Sequence, residues 1–322
     1  MTRTGGWRRL GKKRFRYVDS RGNAITDEEA LERIRELVIP PAWTDVWISP
    51  RPRARLQATG VDAAGRKQYL YHARYRAAQE RAKYESLLEF AKRLPRFRAR
   101  TARHLRLEPF EHDWTCAVAA GLVNKAWFRV GSERHARSTR TYGVTTLRKR
   151  HVEVSGDEIV FRFHAKNRKL VRREIADARL ASAVGELLDL PGGTRLFRFE
   201  RDGELANLTS SIFNEYLSDN LGEEFTAKDF RTWGGTLLAA VELERRGPPE
   251  SKTAETRALA AAMRKVGEEL GNTPAVARAS YVSPAVVDRF REGRTLADFR
   301  NGSGPGRLTT SEAALVRLLR AS

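Results

Sequence analysis

Lys228-Asp-Phe-Arg-Thr-Trp-Gly-Gly-Thr-Leu-Leu-Ala-Ala-Val241 and, thirty residues later, Gly271-Asn-Thr-Pro-Ala-Val-Ala-Arg-Ala-Ser-Tyr281 decide how this chain folds. In the first stretch Phe230, Trp233, Leu237 and Val241 recur at helical spacing as one apolar stripe, while Lys228 and Arg231, three residues apart, share another face. Between the two stretches Leu259, Met263, Val266 and Leu270 repeat at the same spacing and predict a second buried stripe. Gly271 then ends that helix. Thr273 and Pro274 suit the N-cap and first position of the next, which carries Tyr281 two turns in. From about residue 174 onward the chain reads as helical, with Asn301-Gly-Ser-Gly-Pro-Gly a loose linker to a short terminal helix.

Working back from there, Val152-Glu-Val and Ile159-Val-Phe-Arg-Phe flank Ser155-Gly-Asp as a hairpin, and Leu170-Val-Arg-Arg suits a third strand. The small, apolar run from Cys116 to Phe128 predicts a buried helix. A charged helix from about Ala73 to Arg93, expected to end before Pro95, is a candidate hinge. Ahead of it lie short strands at Val46-Trp-Ile, Arg55-Leu-Gln-Ala-Thr and Lys67-Gln-Tyr-Leu-Tyr. A hairpin is expected over residues 13–26, and a helix capped by Thr26, with Leu31, Ile34 and Leu37 as its stripe, stopping at Pro40-Pro41. The fold class is therefore α+β: a small, mainly β domain over residues 1–90 and a larger, mainly helical domain with a short antiparallel sheet over residues 91–322.

The 322 residues carry a formal net charge of +20, and residues 51–110 hold sixteen Lys and Arg against five Asp and Glu. An excess of that size on a chain that is 41% hydrophobic favours a polyanionic partner, because bound cations release counterions condensed on nucleic acid. Cys116 is the only cysteine, which excludes an intramolecular disulfide or a cysteine-built zinc site. The longest apolar run, Ala117 to Val123, is too short to span a bilayer. The N-terminus has charge but no hydrophobic segment behind it, so the expected setting is the reducing cytoplasm.

Gly234 and Gly235 break helix propensity twice beside Arg231, each at about 1 kcal/mol relative to alanine. Something approaches closely there, either a nucleic-acid backbone or a packed helix. A tyrosine such as Tyr281 is usually a core or rim residue. Its company of Arg129, Lys166, Arg231 and Asn272 is what singles it out.

Phe128-Arg129-Val-Gly131, Phe163-His-Ala-Lys166, Lys228-Asp-Phe-Arg231-Thr and Gly271-Asn272-Thr-Pro with Ser280-Tyr281 resemble, in order, the signatures of the small type IB DNA topoisomerases of bacteria and poxviruses. Ile39-Pro-Pro-Ala-Trp43 and Leu56-Gln-Ala-Thr-Gly with Arg66-Lys-Gln-Tyr-Leu-Tyr71-His are similar to that family's small domain. The resemblance spans roughly residues 13–290. It implies an ATP-independent enzyme with no cofactor and no metal, a monomer that clamps double-stranded DNA and relaxes supercoils through a 3′-phosphotyrosyl intermediate.

By the same resemblance Tyr281 is the nucleophile, Arg129 and Arg231 hold the phosphate, Lys166 protonates the leaving oxygen and Asn272 completes the catalytic set. Guanidiniums suit the phosphate role because they stay charged and bind oxygens in pairs. Family members often carry histidine where this chain has Asn272, so the group that accepts the tyrosine proton is left open. Gln68, Tyr69 and Tyr71 are expected against the major groove, with Gly131, His135 and Lys228 also at the DNA. The rivals are a tyrosine recombinase, which usually has His-x-x-Arg where this chain has Lys228-Asp-Phe-Arg231, and a non-catalytic basic DNA-binding protein. The second explains the charge but not the ordered set of site residues.

Overall fold

The computed structural model describes residues 5–11, 14–301 and 308–321. The chain divides into two compact units, Met1–Tyr84 and Glu85–Ser322. The fold is α+β.

In the first unit five antiparallel strands form one sheet in the order β2-β1-β3-β4-β5, with β1 at Trp7–Leu10, β2 at Arg16–Val18, β3 at Thr44–Ile48, β4 at Leu56–Val61 and β5 at Lys67–Tyr71. Helix α1, Glu28–Glu36, contributes Ile34 to a core with Val46, Ile48 and Ala58, against which Trp7, Tyr17, Leu37, Trp43 and Leu70 pack. Three of these strands match the alternation in the sequence. Two expectations change. The cap of α1 is Asp27, whose carboxylate accepts from Ala30 N at 3.0 Å, one residue beyond Thr26. The hairpin expected at 13–26, whose residue 13 lies outside the described residues, closes through a bridge between Val18 and Ala24 with Asp19 N donating to Asn23 O and Ile25 N to Tyr17 O, both at 2.9 Å, while the full partner of β2 is β1 in the basic N-terminal stretch.

Helix α2, Ala73–His104, continues past Pro95. Proline at a helix interior costs about 3 kcal/mol, yet Leu87, Phe90, Leu94 and Phe97 are all buried at 0–1% exposure on one stripe. The rings of Phe90 and Phe97 pack on Phe230 at 5.0 and 5.2 Å. At about 1.5–3 kcal/mol for each fully buried side chain, that stripe outweighs the proline.

Helix α3, His112–Ala126, is the buried helix expected at Cys116–Phe128, and a short α4, Glu133–Ser138, follows. Strands β6 (Val152–Ser155), β7 (Glu158–His164) and β8 (Leu170–Ala176) form the expected three-stranded antiparallel sheet in sequence order. After α5, Ala178–Asp189, the chain is not wholly helical: β9 (Arg198–Arg201) and β10 (Glu204–Asn207) form a hairpin. Its turn is Asp202-Gly203, both at positive φ, the strongest short hairpin signal in the chain.

Helices α6 (Ser210–Leu221), α7 (Ala227–Arg246), α8 (Lys252–Leu270), α9 (Pro274–Tyr281) and α10 (Pro284–Arg291) complete the site-bearing part. The Leu259, Met263, Val266 and Leu270 stripe of α8 is buried as expected. The linker expected at 301–306 lies almost wholly outside the described residues. The terminal helix α11, Thr310–Arg320, belongs to the core: its Glu312 is 3% exposed and accepts from Arg98 at 2.7 and 2.9 Å and from Trp233 Nε1 at 3.2 Å.

Candidate active site

The site is organised by the ends of helices. The last carbonyls of a helix lack intrahelical donors and carry the negative end of the helix dipole, so cations gather there. Helix α3 ends in Trp127, held at φ 55°, and α8 ends in Leu270 ahead of Gly271 at φ 62°. Arg231, 5% exposed on α7, donates to both ends, from Nη1 to Trp127 O at 2.5 Å and from Nη2 to Leu270 O at 2.7 Å. This is why a guanidinium is stable in an apolar helix bundle.

Arg129 reaches the same carbonyl from the strand-like segment after α3, donating from Nη1 to Leu270 O at 3.4 Å and from Nη2 to Asn272 Oδ1 at 2.9 Å. Its backbone is fixed from below, since Arg129 O accepts from Val144 N and Val130 O from Thr145 N, both at 2.8 Å. Gly131, at φ +97°, lies so close to Gly143 and Thr146 that a Cβ there would sit 2.7 Å from Thr146 Oγ1. Gly131 therefore serves this close packing.

Tyr281 is the last residue of α9, begun by the Thr273 cap and Pro274 as the sequence predicts. Its ring lies under Arg231, whose guanidinium carbon is 5.1 Å from the ring centroid. The backbone of Tyr281 is pinned by α7: Thr236 Oγ1 donates to Tyr281 O at 3.1 Å and accepts from Ser283 N at 3.2 Å. The two glycines now have their reason. A Cβ on Gly234 would lie 2.2 Å from Trp127 Nε1, and one on Gly235 would lie 2.8 Å from Tyr281 O. The close approach they permit is protein against protein, bringing the Tyr281 backbone and the Trp127 indole onto the helix that carries Arg231.

The electrostatics follow from this packing. Burial pushes the Tyr281 phenol up, but the charge and hydrogen bond of Arg231, then the charges of Arg129 and Lys228, outweigh it and hold the group below the usual tyrosine value. Burial, then the nearby Arg129 charge, pulls Arg231 down to about 10, so it stays a cation at neutral pH. Lys228 is exposed in the first turn of α7, and its charge is felt at the phenol. Asn272 accepts from Arg129 through Oδ1, and its Nδ2 donates to Leu270 O at 3.3 Å.

Lys166 opens the tight β7–β8 turn, in which Ala165 N donates to Lys169 O at 2.8 Å and Asn167 and Arg168 both have positive φ. It is exposed. The turn is tied to the α8–α9 junction, because Lys169 Nζ donates to Asn272 O at 2.9 Å. Four of the five expected catalytic residues thus meet around the end of α8, and the fifth sits on a turn attached to it.

Residues 72–293, which contain all five, match the family described as eukaryotic DNA topoisomerase I, catalytic core, and residues 14–62 match bacterial DNA topoisomerase IB, N-terminal domain. The chain belongs to the type IB DNA topoisomerases. It is 31% identical over 295 residues to DNA topoisomerase 1B of Acanthamoeba polyphaga mimivirus, across 89% of this chain and 88% of that one. It is 22% identical over 290 residues to DNA topoisomerase 1B of vaccinia virus, strain Copenhagen, across 84% of this chain and 85% of that one. Membership makes this topoisomerase an isomerase, an enzyme and not a passive packaging protein.

In the N-terminal unit of the topoisomerase, Tyr69 is 52% exposed and stacks with half-buried Tyr71 at 6.3 Å. Gln68, on the other face of β5, donates to Asp62 Oδ2 at 2.8 Å. The tyrosines are therefore on the open face, and Leu70 takes the core position between them. His135 is exposed on α4, with Nδ1 3.1 Å from Ser132 Oγ. Among the described residues no helix is long and apolar enough to cross a membrane, and no three His, Cys, Asp or Glu side chains converge on a point.

Sequence reasoning missed the groups that hold the site: the Trp127 and Leu270 carbonyls, Thr236 and Lys169. Main-chain carbonyls leave no trace in a sequence. The helix stops at Trp127 and Gly271 were the available signal.

Proposed function

We propose that this topoisomerase relaxes supercoiled duplex DNA by cutting and resealing one strand through Tyr281, without ATP or metal. The Tyr281 oxygen attacks a backbone phosphorus as its proton passes to solvent. The P–O5′ bond breaks, the enzyme is left joined to the 3′ phosphate, and the free 5′ end swivels before its hydroxyl reverses the attack. The phosphotyrosyl ester is close in energy to the diester it replaces, so no external energy source is needed.

Arg129 and Arg231 hold the nonbridging oxygens, on which negative charge grows in the transition state. Losing one preorganised donor in such a site costs about 2.7–4 kcal/mol. Lys166 gives its Nζ proton to O5′, since an alkoxide leaves poorly without one. Asn272 orients Arg129 through its amide oxygen and transfers no proton itself. The cationic surroundings of Tyr281 take over part of what a base would do, by lowering the cost of the phenolate.

For the duplex we assign Tyr69 and Tyr71 to groove contacts from the open face of β5, Gln68 to a contact from beside Asp62 at the β4–β5 turn, and Lys228 and His135 to the backbone, the enzyme acting as a monomeric clamp. Phosphate contacts of this kind position the enzyme without reading sequence.

The observation that carries the reading is the placement of the Tyr281 ring under Arg231, with Arg129 sharing the same helix-end carbonyl. The test is relaxation of a supercoiled plasmid in excess EDTA without ATP, comparing wild type with Tyr281→Phe. Wild type relaxes the plasmid, and the variant binds DNA with near wild-type affinity but does not relax it. Relaxation by Tyr281→Phe, or strict dependence on magnesium, overturns the proposal.

A further inference from the structure

The β7–β8 turn and the α8–α9 junction are joined by contacts that the cleavage chemistry does not itself require. Lys169 Nζ donates to Asn272 O at 2.9 Å, three residues after Lys166 and at the other end of its turn. Four residues further on, in β8, the Arg173 guanidinium binds both the carboxylate and the carbonyl of Glu269 in the last turn of α8, and Lys265 braces that carboxylate at 3.0 Å. Lys169, just ahead of β8, and Arg173 within it both reach the helix end whose next carbonyl, Leu270 O, receives Arg231 and Arg129.

We infer that Lys169 and Arg173 are positioning residues that register the Lys166 turn against the junction presenting Asn272 and Tyr281. This rests on the reading of Lys166 as the proton donor. Neither residue touches the phosphate in this account. They act by fixing where the turn lies, and the turn needs fixing. Lys166 is exposed, the loop spans five residues between paired strand ends at His164 and Leu170, and two of those residues are in the left-handed region. Arg173 anchors the strand, being half-buried and bidentate, while Lys169 sets the last few ångströms beside the acid.

The consequence is specific to one half of the chemistry. If Lys169 places the acid, its loss impairs protonation of the leaving oxygen and leaves attack by Tyr281 intact. A thiolate leaving group departs without a proton, so a duplex with a 5′-bridging phosphorothiolate at the scissile bond bypasses the acid.

The experiment uses the full chain and a duplex carrying a site mapped beforehand by trapping covalent complexes on plasmid DNA. Single-turnover cleavage is measured with oxygen and with sulfur at the bridging position for Lys169→Met, Lys169→Arg and Lys166→Ala. DNA affinity and thermal unfolding are measured in parallel. Lys169→Met cleaves the oxygen substrate about 10- to 100-fold slower than wild type, as expected for a displacement of up to about 1 Å. With sulfur it returns to within a few-fold of wild type, with DNA affinity nearly unchanged. Lys169→Arg keeps a donor at that reach and stays near wild type with both substrates.

An equal defect on oxygen and sulfur, a defect explained by weaker DNA binding, or no defect at all overturns the inference. Lys166→Ala separates this from the reading beneath it. If sulfur rescues Lys166→Ala but not Lys169→Met, the proton donor stands and the positioning role fails. If sulfur rescues neither, the proton donor itself is wrong. Lys169 is exposed, so its replacement leaves folding intact, and the unfolding curve checks this directly.

Discussion

Replacing Gly235 by alanine separates the geometry of the site from the stability of the fold. A Cβ at this position would lie 2.8 Å from Tyr281 O and 3.0 Å from both Tyr281 Cβ and Leu270 Cδ1. Ordinary contact begins near 3.4 Å, so α9 must move away from α7 by about 0.6 Å. Overpacking of this kind costs about 1–3 kcal/mol. Alanine in place of a mid-helix glycine returns about 1 kcal/mol, leaving a net loss of only ~0–2 kcal/mol. The rate is affected more. With about 100-fold lost per ångström of misplacement, a shift of 0.6 Å slows cleavage by about 10- to 20-fold. Single-turnover cleavage at saturating enzyme, with DNA affinity measured alongside, reads this directly. A Gly235→Ala enzyme that cleaves at the wild-type rate refutes the claim that α7 sets the position of Tyr281.

Three further outcomes are expected. Glu312→Ala removes the acceptor of Trp233 and leaves Arg98 with Asn124 Oδ1 alone, at 3.2 Å. Breaking a buried pair costs about 3–5 kcal/mol, and the value here falls near the low end because Arg98, 26% exposed, can turn to water; denaturant unfolding showing a loss below about 1 kcal/mol contradicts this. Burial first, then Arg150, Arg148 and His164, pulls His151 down from 6.5 to about 4 in the folded protein. The unfolded chain therefore binds more protons between these values, and stability falls by about 3 kcal/mol as pH drops from about 6.5 to about 4. In His151→Gln that slope flattens, and an unchanged slope places the titration elsewhere. Finally, the lowered Tyr281 pKa puts the rising limb of the cleavage rate below the usual tyrosine value. Arg231→Gln, which removes the largest stabilising charge, moves that limb to higher pH, and an unmoved limb assigns it to another group.

The sequence carried the helices of the site well because their signals are local. The α8 stripe, the Gly271 stop and the Thr273-Pro274 start are choices that propensity, capping and packing all favour. Strand β5 follows directly from the alternation at Lys67–Tyr71. What failed was set by tertiary contact or masked by charge. Pro95 argued for a helix end, and only the aromatic cluster with Phe230 explains why α2 continues. Strand β1 is masked by the Arg8-Arg9 pair at its centre and legible only through its partner β2. The hairpin at Asp202-Gly203 is legible in its turn pair, within a stretch whose overall trend is helical. At the site the residue types were legible from ordered motifs, but their mutual arrangement was not. The glycines at 234 and 235 announced a close approach without saying of what, and the answer was the backbone of Tyr281 and the ring of Trp127.

The central claim is that the oxygen of residue 281 becomes bonded to DNA. Wild-type enzyme is mixed with plasmid, trapped with denaturant, digested with nuclease and protease, and the nucleotide-bearing peptide is sequenced by mass spectrometry. The expected adduct is a single nucleotide joined through its 3′ phosphate to Tyr281. An adduct on any other residue, a link to a 5′ phosphate, or relaxation with no covalent species contradicts the account.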